Sequence, residues 1–403
     1  MFSLKNIFII CCFFAQIALA EPRTEIIMWH AMGGPFGKEI NRLAKEFNSS
    51  QTTYTLKPIY KGSYLETLTA YTAAFRAGLA PDLVQVSEVS RETMLSPRGV
   101  IKPVGKILNE QKIVWQEANI WPAIRAYYSK DGVLQAFPLN VSFPVMYFNE
   151  NVVHDLPNTW QDFEKLLVKL KQDKYACPYT TAYPSWIHIE SFYALHNISN
   201  TSLQNLLLQH LARLKRWHEK HLFEYAGRTD EATSLFTSGK CVTLSYTSAS
   251  YNSIVNNANF KVGVAEIPVN KGSVRHANVV GGAALWVRNG LSLHVERGIA
   301  QFFSMMLKPK TQEMWYARTG YLPIIANAVE GNNKILTMLK YEWDGVSSTS
   351  KINARAQNRI RSMNDELIES LLLGKLTVEE IGAKVLAARI YADARFIKNQ
   401  GTS

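Results

Sequence analysis

Residues 26–86 carry the sequence IIMWHAMGGPFGKEINRLAKEFNSSQTTYTLKPIYKGSYLETLTAYTAAFRAGLAPDLVQV, in which short apolar runs alternate with longer amphipathic stretches. Three runs have the length and composition of buried strands: residues 26–29, 54–59 and 81–86. Between them, stretches 36–47 and 64–77 place apolar residues at helical spacing with a polar opposite face. This alternation predicts a parallel α/β sheet with right-handed crossovers.

The carboxyl ends of these predicted strands are candidate ligand sites, because open sheets of this kind bind ligands beyond that edge. Three segments lie there: Trp29–Gly34, Tyr60–Tyr64 and Ser87–Val89. They combine aromatic, small and acidic residues. We therefore expect part of a binding cleft to form from them.

The chain is long enough for two domains, because removal of a leader would leave more residues than one ordinary core uses. Residues 133–149 (VLQAFPLNVSFPVMYFN) are rich in strand-forming residues, and Pro138 and Pro144 disfavour central positions in a sheet. This segment is predicted to cross between two lobes. Further strands are predicted near 242–246, 261–265 and 279–288, and the chain beyond Glu296 is mostly helical in pattern.

The N-terminus has the pattern of a secretory leader. Lys5 precedes an apolar run that ends at Phe14, and Ala18-Leu19-Ala20 is a small-x-small cleavage pattern. The run is shorter than the roughly 20 residues of a transmembrane helix. We predict a signal peptide at residues 1–20 and export to the periplasm.

The charge surplus indicates an anionic partner. Lys and Arg total 44 and Asp and Glu total 33, which gives a net charge of +11. Such a surplus attracts anions, and the basic residues are dispersed rather than gathered in one arm or helix. An acidic small ligand fits this pattern better than nucleic acid or an anionic membrane.

Two cysteines remain after the leader, Cys177 and Cys241. In an oxidising compartment they could form one disulfide, and two separately buried thiols are the equal alternative. Their spacing fits no zinc motif, so we expect no metal site.

Sequence signatures of catalysis are absent: the chain has no G-x-S-x-G, H-E-x-x-H, Walker A or G-x-G-x-x-G motif. His30 and His188 fall in candidate cleft segments, and neither has a metal-ligating partner at helical spacing. We expect a binding protein that catalyses no reaction and carries no cofactor.

Six motifs, in order along the chain, resemble the sn-glycerol-3-phosphate-binding proteins of bacterial ABC importers, within extracellular solute-binding protein family 1. The motifs are Trp29-His30-x-Met32, Gly37-Lys38-Glu39, Tyr60-Lys61-Gly62-x-Tyr64, Gln85-Val86-x-Glu88-Val89, Gly281-Gly282-Ala283-x-Leu285-Trp286 and Thr319-Gly320-Tyr321-Leu322-Pro323. The last one occurs across the wider sugar-binding family. The ordered set is far more specific and extends over essentially the whole mature chain.

The resemblance implies an α/β, two-lobed periplasmic-binding-protein fold, each lobe a mostly parallel sheet flanked by helices, with a helical C-terminal tail. Lobe 1 is expected at residues 21–139 plus 276–330, and lobe 2 at 140–275 plus 331–403. The implied partners are a small phosphorylated glycerol ligand and the permease subunits of an ABC transporter with its ATPase. A monomer that binds no nucleic acid is expected.

The resemblance also implies a set of ligand contacts: Tyr64, Glu88, Ser142, Tyr183, Thr247, Gly282, Tyr321 and Arg361. Glu88 would accept hydrogen bonds from glycerol hydroxyls. Arg361 would hold the phosphate through its planar fork, with Arg359 as the alternative. Thr247 replaces a serine of the family and keeps the hydroxyl.

Tyr183 stands where the family has a tryptophan that stacks on the ligand. The smaller ring enlarges the pocket on that side and could attract a quaternary ammonium through its face. The expected ligand is therefore sn-glycerol-3-phosphate or a glycerophosphodiester such as glycerophosphocholine. A binding protein for neutral oligosaccharides is the main alternative, and a secreted phosphodiesterase is the enzymatic one.

Overall fold

The computed structural model describes residues 22–197, 201–276, 278–325, 328, 334–335, 337–338 and 357–388. The predicted leader at 1–20 lies outside these residues. The strands are β1 Thr24–His30, β2 Tyr54–Tyr60, β3 Leu83–Ser87, β4 Ile101–Lys102, β5 Ser129–Lys130, β6 Val133–Leu134, β7 Phe137–Ser142, β8 Pro144–Asn149, β9 Cys177–Thr181, β10 Phe223–Glu224, β11 Cys241–Thr247, β12 Val262–Glu266 and β13 Gly281–Arg288.

The helices alternate with these strands along most of the chain. They are α1 Gly34–Ser49, α2 Tyr64–Arg76, α3 Arg91–Leu95, α4 Val104–Glu110, α5 Pro122–Tyr128, α6 Trp160–Gln172, α7 Phe192–Leu195, α8 Thr201–Glu219, α9 Ala232–Thr237, α10 Tyr251–Asn257, α11 Leu293–Met306, α12 Pro309–Thr319 and α13 Gln357–Leu372. Residues 378–388 are also helical. A π-helical turn at Trp186–Ser191 precedes α7.

Two sheets organise the molecule. The first has the order β2-β1-β3-β13-β4, with β7 also paired to β13, and the second has the order β10-β9-β11-β8-β12. Among the described strands of the first sheet, only β13 is antiparallel to the rest. In the second sheet, only β8 of the described strands is antiparallel to the rest. The predicted α/β class, with mostly parallel sheets, is confirmed.

The chain passes from the first sheet to the second at Phe143, between β7 and β8. It returns in the segment between β12 and β13. Pro144 is the first residue of β8, a position where its missing N–H is tolerated. The lobe limits given above, 21–139 plus 276–330 and 140–275 plus 331–403, remain our proposal.

Each sheet is covered by apolar side chains of its flanking helices. In one core, Trp286 of β13 is fully buried and Phe303 of α11 stacks on Phe137 of β7 at 4.6 Å. In the other, Leu367 and Ile368 of α13 belong to the buried cluster of the second sheet. Helix α13 is thereby attached to the second sheet. No helix within the described residues has the length and apolarity to cross a membrane.

Cys177 and Cys241 form a disulfide. They face each other as the first residues of β9 and β11, which are neighbouring parallel strands. Both residues are fully buried. Of the two alternatives that the sequence left open, the structure has the disulfide.

Candidate functional site

A cavity of about 340 Å³ opens at the ends of strands from both sheets and is closed on one side by α13. It is lined by residues of β7, β11, β13, α2 and α13 and by the segment that follows β3. All eight side chains or backbone positions predicted as ligand contacts line it: Tyr64, Glu88, Ser142, Tyr183, Thr247, Gly282, Tyr321 and Arg361. Their roles toward a ligand remain predictions.

Strand ends bring three of these residues to the cavity. Glu88 directly follows β3 and is 6% exposed. Ser142 is the last residue of β7, and Thr247 is the last residue of β11. The hydroxyl of Thr247 accepts a hydrogen bond from the N–H of Ala249 and caps the short helical turn that leads into α10.

Helix boundaries position the two tyrosines. Helix α2 begins at Tyr64 because Ser63 and Glu66 form a reciprocal capping box before it. Helix α12 ends at Thr319, and the capping residue Gly320, with a left-handed φ of 75°, turns the chain and presents Tyr321. Both tyrosines therefore have a defined direction into the cavity from opposite segments of the chain.

A hydrogen-bond chain that leads to the buried side chains of Asn140 and Gln85 holds these tyrosines. Tyr64 bonds to Tyr321, and Tyr321 bonds to the side chain of Asn140. The amide of Gln85 donates to Asn140 and accepts from the N–H of Ala31 at 2.9 Å. Because each buried polar group has a partner, the network fixes the hydroxyls rather than leaving them to rotate.

Arg361 of α13 lies between two carboxylates. Its Nε and Nη2 donate to the two carboxylate oxygens of Glu190 at 2.7 and 2.6 Å. Its Nη1 lies 2.9 Å from Oε1 of Glu88. Glu88 follows a strand of the first sheet, whereas Arg361 and Glu190 belong to elements packed around the second. The ion pair therefore spans the cavity.

This cluster changes the protonation equilibria of its members. Burial raises the pKa of Glu88, Arg361 opposes that rise, and the negative charge of Glu190 adds to it. Burial by itself lowers the pKa of Arg361, but Glu190 and Glu88 outweigh burial and raise it. Arg361 is thus a permanent cation in the cavity.

Three aromatic side chains, those of Tyr183, Tyr246 and Trp186, also line the cavity. Tyr183 and Tyr246 lie nearly parallel, with centroids 6.0 Å apart and an interplanar angle of 12°. Tyr183 has a left-handed φ of 46°, which is uncommon for a residue with a Cβ. Trp186 is 6% exposed, and its indole N–H has no hydrogen-bond partner among the described residues.

Asp365 also lines the cavity, one helical turn after Arg361. It is hydrogen-bonded to Ser185, which precedes the π-helical turn. Burial raises the pKa of Asp365 to about 6. The cavity therefore contains a carboxyl group that ionises less readily than an exposed aspartate.

Gly282 allows β13 to approach β7 closely. Its φ is 110°, and a Cβ at this position would lie 1.9 Å from the backbone oxygen of Asn140. A real Cβ would push the two strands apart at the floor of the cavity. The family motif Gly281-Gly282 therefore has a packing reason in addition to any contact with a ligand.

We predict that Gly282→Ala lowers the free energy of unfolding by about 2–3 kcal/mol, from backbone strain plus overlap with Asn140. Urea unfolding would measure this change. Gly290→Ala is the matched control, because Gly290 has a similar φ of 79° and open space around it. Equal losses in the two variants would contradict the overlap argument.

The two histidines singled out in the sequence do not line the cavity. His30 is buried and accepts from the N–H of Met32, and burial lowers its pKa to about 4. His188 lies in the second core, between the hydroxyl of Tyr179 and the ring of His210. Both are structural histidines in this fold.

Two acidic residues of the site were missed by the sequence interpretation, Glu190 and Asp365. A signal existed for each of them. Asp365 follows Arg361 by four residues, which places both on one face of a helix. Glu190 follows Trp186 by four residues, but its segment has a π-helical turn whose register depends on tertiary packing.

Comparison with known proteins places this geometry in context. The family profile described as bacterial extracellular solute-binding protein matches residues 42–337. The sn-glycerol-3-phosphate-binding periplasmic protein UgpB of Yersinia pseudotuberculosis is 33% identical over 391 residues, covering 88% of this chain and 89% of that protein.

Solved structures show the same architecture. The crystal structure of UgpB from Mycobacterium tuberculosis in complex with glycerophosphocholine aligns with a TM-score of 0.78 at 19% identity, covering 93% of this chain and 100% of that one. The sugar-binding protein MalE from Xanthomonas citri aligns with a TM-score of 0.73 at 16% identity, covering 94% and 100%. At these identities the two structures establish the two-lobed fold.

Proposed function

This chain belongs to the bacterial extracellular solute-binding protein family, and from that membership we propose that it captures a phosphorylated glycerol compound and delivers it to an ABC importer. The ligand is sn-glycerol-3-phosphate or a glycerophosphodiester. The relatives are solute-binding proteins rather than enzymes, and their family acts outside the cytoplasm.

The observation that carries the proposal is the position of Arg361, whose guanidinium lies in a cavity lined from both sheets beside tyrosine and serine hydroxyls. A guanidinium recognises phosphate oxygens by charge-assisted, forked hydrogen bonds. The hydroxyls of Tyr64, Tyr321 and Ser142 supply neutral partners for the polar glycerol. This combination fits an anion attached to a polyol.

We infer an exchange of partners when the ligand binds. A phosphate oxygen would take the Nη1 of Arg361, which now pairs with Glu88. Glu88 is then free to accept hydrogen bonds from the glycerol hydroxyls, the role that the sequence predicted for it. Glu190 keeps its two hydrogen bonds and continues to hold the guanidinium plane.

Ligand contacts from both lobes would stabilise the closed arrangement selectively, so that binding shifts the population toward closure. The closed shape is what the permease subunits and their ATPase would recognise. Micromolar affinity corresponds to about −8 kcal/mol, which a few charge-assisted bonds and apolar burial can supply.

The location and assembly complete the proposal. Export by the leader at residues 1–20 would deliver a mature chain that begins at Glu21 to the periplasm. We propose a monomer that needs no cofactor and binds no nucleic acid.

Calorimetry with sn-glycerol-3-phosphate, glycerophosphocholine and maltose tests the function. We expect micromolar binding of at least one phosphate compound, no binding of maltose, and recovery of the phosphate ligand unchanged after incubation. Failure of both phosphate compounds would refute the proposal, and hydrolysis of the diester would support the secreted phosphodiesterase instead.

A further inference from the structure

The π-helical turn at Trp186–Ser191 carries Glu190, the residue that orients Arg361 in the cavity. Glu190 accepts the two hydrogen bonds that hold the guanidinium plane. A π-helical turn pairs an N–H with the carbonyl five residues back instead of four, and this rotates the residues that follow relative to an α-helix. The direction of the Glu190 side chain therefore depends on what keeps the turn in this register.

His188 lies in the middle of this turn, and both nitrogens of its ring are bonded. Its Nε2 lies 2.9 Å from the hydroxyl of Tyr179 on β9, and its Nδ1 lies 2.9 Å from Nε2 of His210 on α8. Both histidines are fully buried. The turn is thereby tied to a strand and to a helix of the second core, two residues before Glu190.

The protonated nitrogen of each histidine follows from the neighbouring Arg213. Burial lowers the pKa of His188 to about 3, and it also lowers the pKa of His210, so both rings are neutral near pH 7. Arg213 has only donors, and its Nη1 lies 3.3 Å from Nδ1 of His210, which must therefore accept. The proton of His210 is then on Nε2 and is donated to Nδ1 of His188. By the same rule, Nε2–H of His188 donates to the hydroxyl of Tyr179.

This hydrogen-bond chain continues to the end of β9. The hydroxyl of Tyr179 donates to the hydroxyl of Ser245 on β11 at 2.5 Å. Ser245 donates to Thr181 at 2.8 Å, and Thr181 donates to the carbonyl oxygen of Ala182. The donors and acceptors match at every step from Arg213 to Ala182. A buried network that is satisfied in this way fixes the side chains that form it.

We propose that His188 is a positioning residue of the binding site: its two ring bonds fix the register of the turn at Trp186–Ser191 and so direct Glu190 to Arg361. His188 does not line the cavity, so it acts on the ligand through Glu190 rather than by contact. The inference rests on the proposed function, because it assigns a further residue to the same site. The alternative is a histidine that only stabilises the second core.

Calorimetry of His188→Leu with sn-glycerol-3-phosphate and with glycerophosphocholine separates these two roles. Leucine fills the core but bonds to neither Tyr179 nor His210, and we expect the folded variant to bind at least tenfold more weakly. Phe223→Leu is the matched control, because its buried ring packs against His188 and Tyr179 and has no polar atom. We expect the control to change affinity less than twofold. Equal losses of affinity in the two variants, or no loss in His188→Leu, would overturn the proposal.

A double-variant cycle tests whether His188 acts through Glu190. In a Glu190→Ala background, His188→Leu should change affinity less than twofold, because the carboxylate that it directs is gone. A loss of the same size in both backgrounds would overturn the assignment. His188→Gln retains an amide that can donate to Tyr179, and we expect it to recover part of the affinity that His188→Leu loses.

The orientation of Arg361 can also be followed without a ligand. In protein with isotopically labelled arginine, the Nε–H of Arg361 should give a nuclear magnetic resonance signal that is protected from exchange with water, because Glu190 accepts it. Its absence in Arg361→Lys assigns the signal. We expect the signal to persist in Phe223→Leu and to be lost in His188→Leu, and persistence in both would contradict the positioning role.

The tautomers can be measured in the wild-type protein, so the proposal stays testable even if His188→Leu does not fold. Spectra of isotopically labelled histidine should show His188 and His210 neutral and protonated on Nε2. Protonation of either ring on Nδ1 would overturn the chain and with it the proposal. If the wild-type protein binds no glycerol phosphate compound, the proposed function fails, whereas the arginine and histidine spectra still decide the role of His188.

Discussion

Arg361→Ala should weaken the binding of glycerophosphodiesters and of glycerol-3-phosphate at least 100-fold, about 2.7 kcal/mol. Two effects combine. The variant loses charge-assisted hydrogen bonds to the phosphate. It also leaves Glu88, which is buried, and Glu190, which is half-buried, without their shared cation, so two carboxylates face the incoming anion. Calorimetry of the folded variant measures the loss.

Two further variants separate phosphate binding from the stability of α13. Arg361→Lys retains a positive charge without the fork and should give an intermediate affinity. Arg228→Ala removes a different ion pair to the same helix, with Glu369, and should change affinity less than twofold. Unchanged affinity of the Arg361→Ala variant would assign phosphate binding to Arg359 or to backbone groups instead.

The sequence predicted the part of the site that depends on strand ends. Glu88 and Thr247 follow or end buried apolar runs, and the carboxyl ends of such strands converge in an open sheet. Periodicity alone was enough to place Glu88 at an edge, whereas Thr247 was named through the family resemblance. The edges of the two sheets meet at one cavity because of the way the chain crosses between the sheets. Local sequence pattern does not encode that crossing.

The prediction of Arg361 as a ligand contact depended on the family resemblance. The helical pattern around it does not indicate the sheet on which α13 packs. The structure places its side chain in the cavity, whereas the side chain of Arg359 lies outside the described ones. The sequence interpretation missed Glu190 and Asp365, and their contacts with Arg361 and Ser185 identify them as part of the site.

The strand that carries Cys177 illustrates another limit of local pattern. Residues 177–181 (CPYTT) are short and contain Pro178, which lowers any strand expectation. The segment is nevertheless a central strand between β10 and β11. Pairing in the sheet overrides the local preference, and it is this pairing that brings Cys177 opposite Cys241.

Replacing both cysteines, Cys177→Ala with Cys241→Ala, should lower the free energy of unfolding by about 4 kcal/mol, the loop-closure estimate for cysteines 64 residues apart. The bond joins the first residues of β9 and β11, while the opposite end of β11 reaches the cavity. Stability should therefore fall much more than ligand affinity. Urea unfolding and calorimetry of the same preparation measure both quantities.

Reduction supplies the control, because an intact bond makes the wild-type protein sensitive to dithiothreitol while the double variant has nothing to reduce. We expect the urea-unfolding midpoint of the wild-type protein under reducing conditions to approach the midpoint of the double variant. If the free energy of unfolding of the double variant lies within about 1 kcal/mol of that of the oxidised wild type, the loop-closure argument is contradicted. The disulfide would then reduce the entropy of the denatured chain only slightly. A large loss of ligand affinity with unchanged stability would instead indicate that the disulfide maintains the geometry of the cavity.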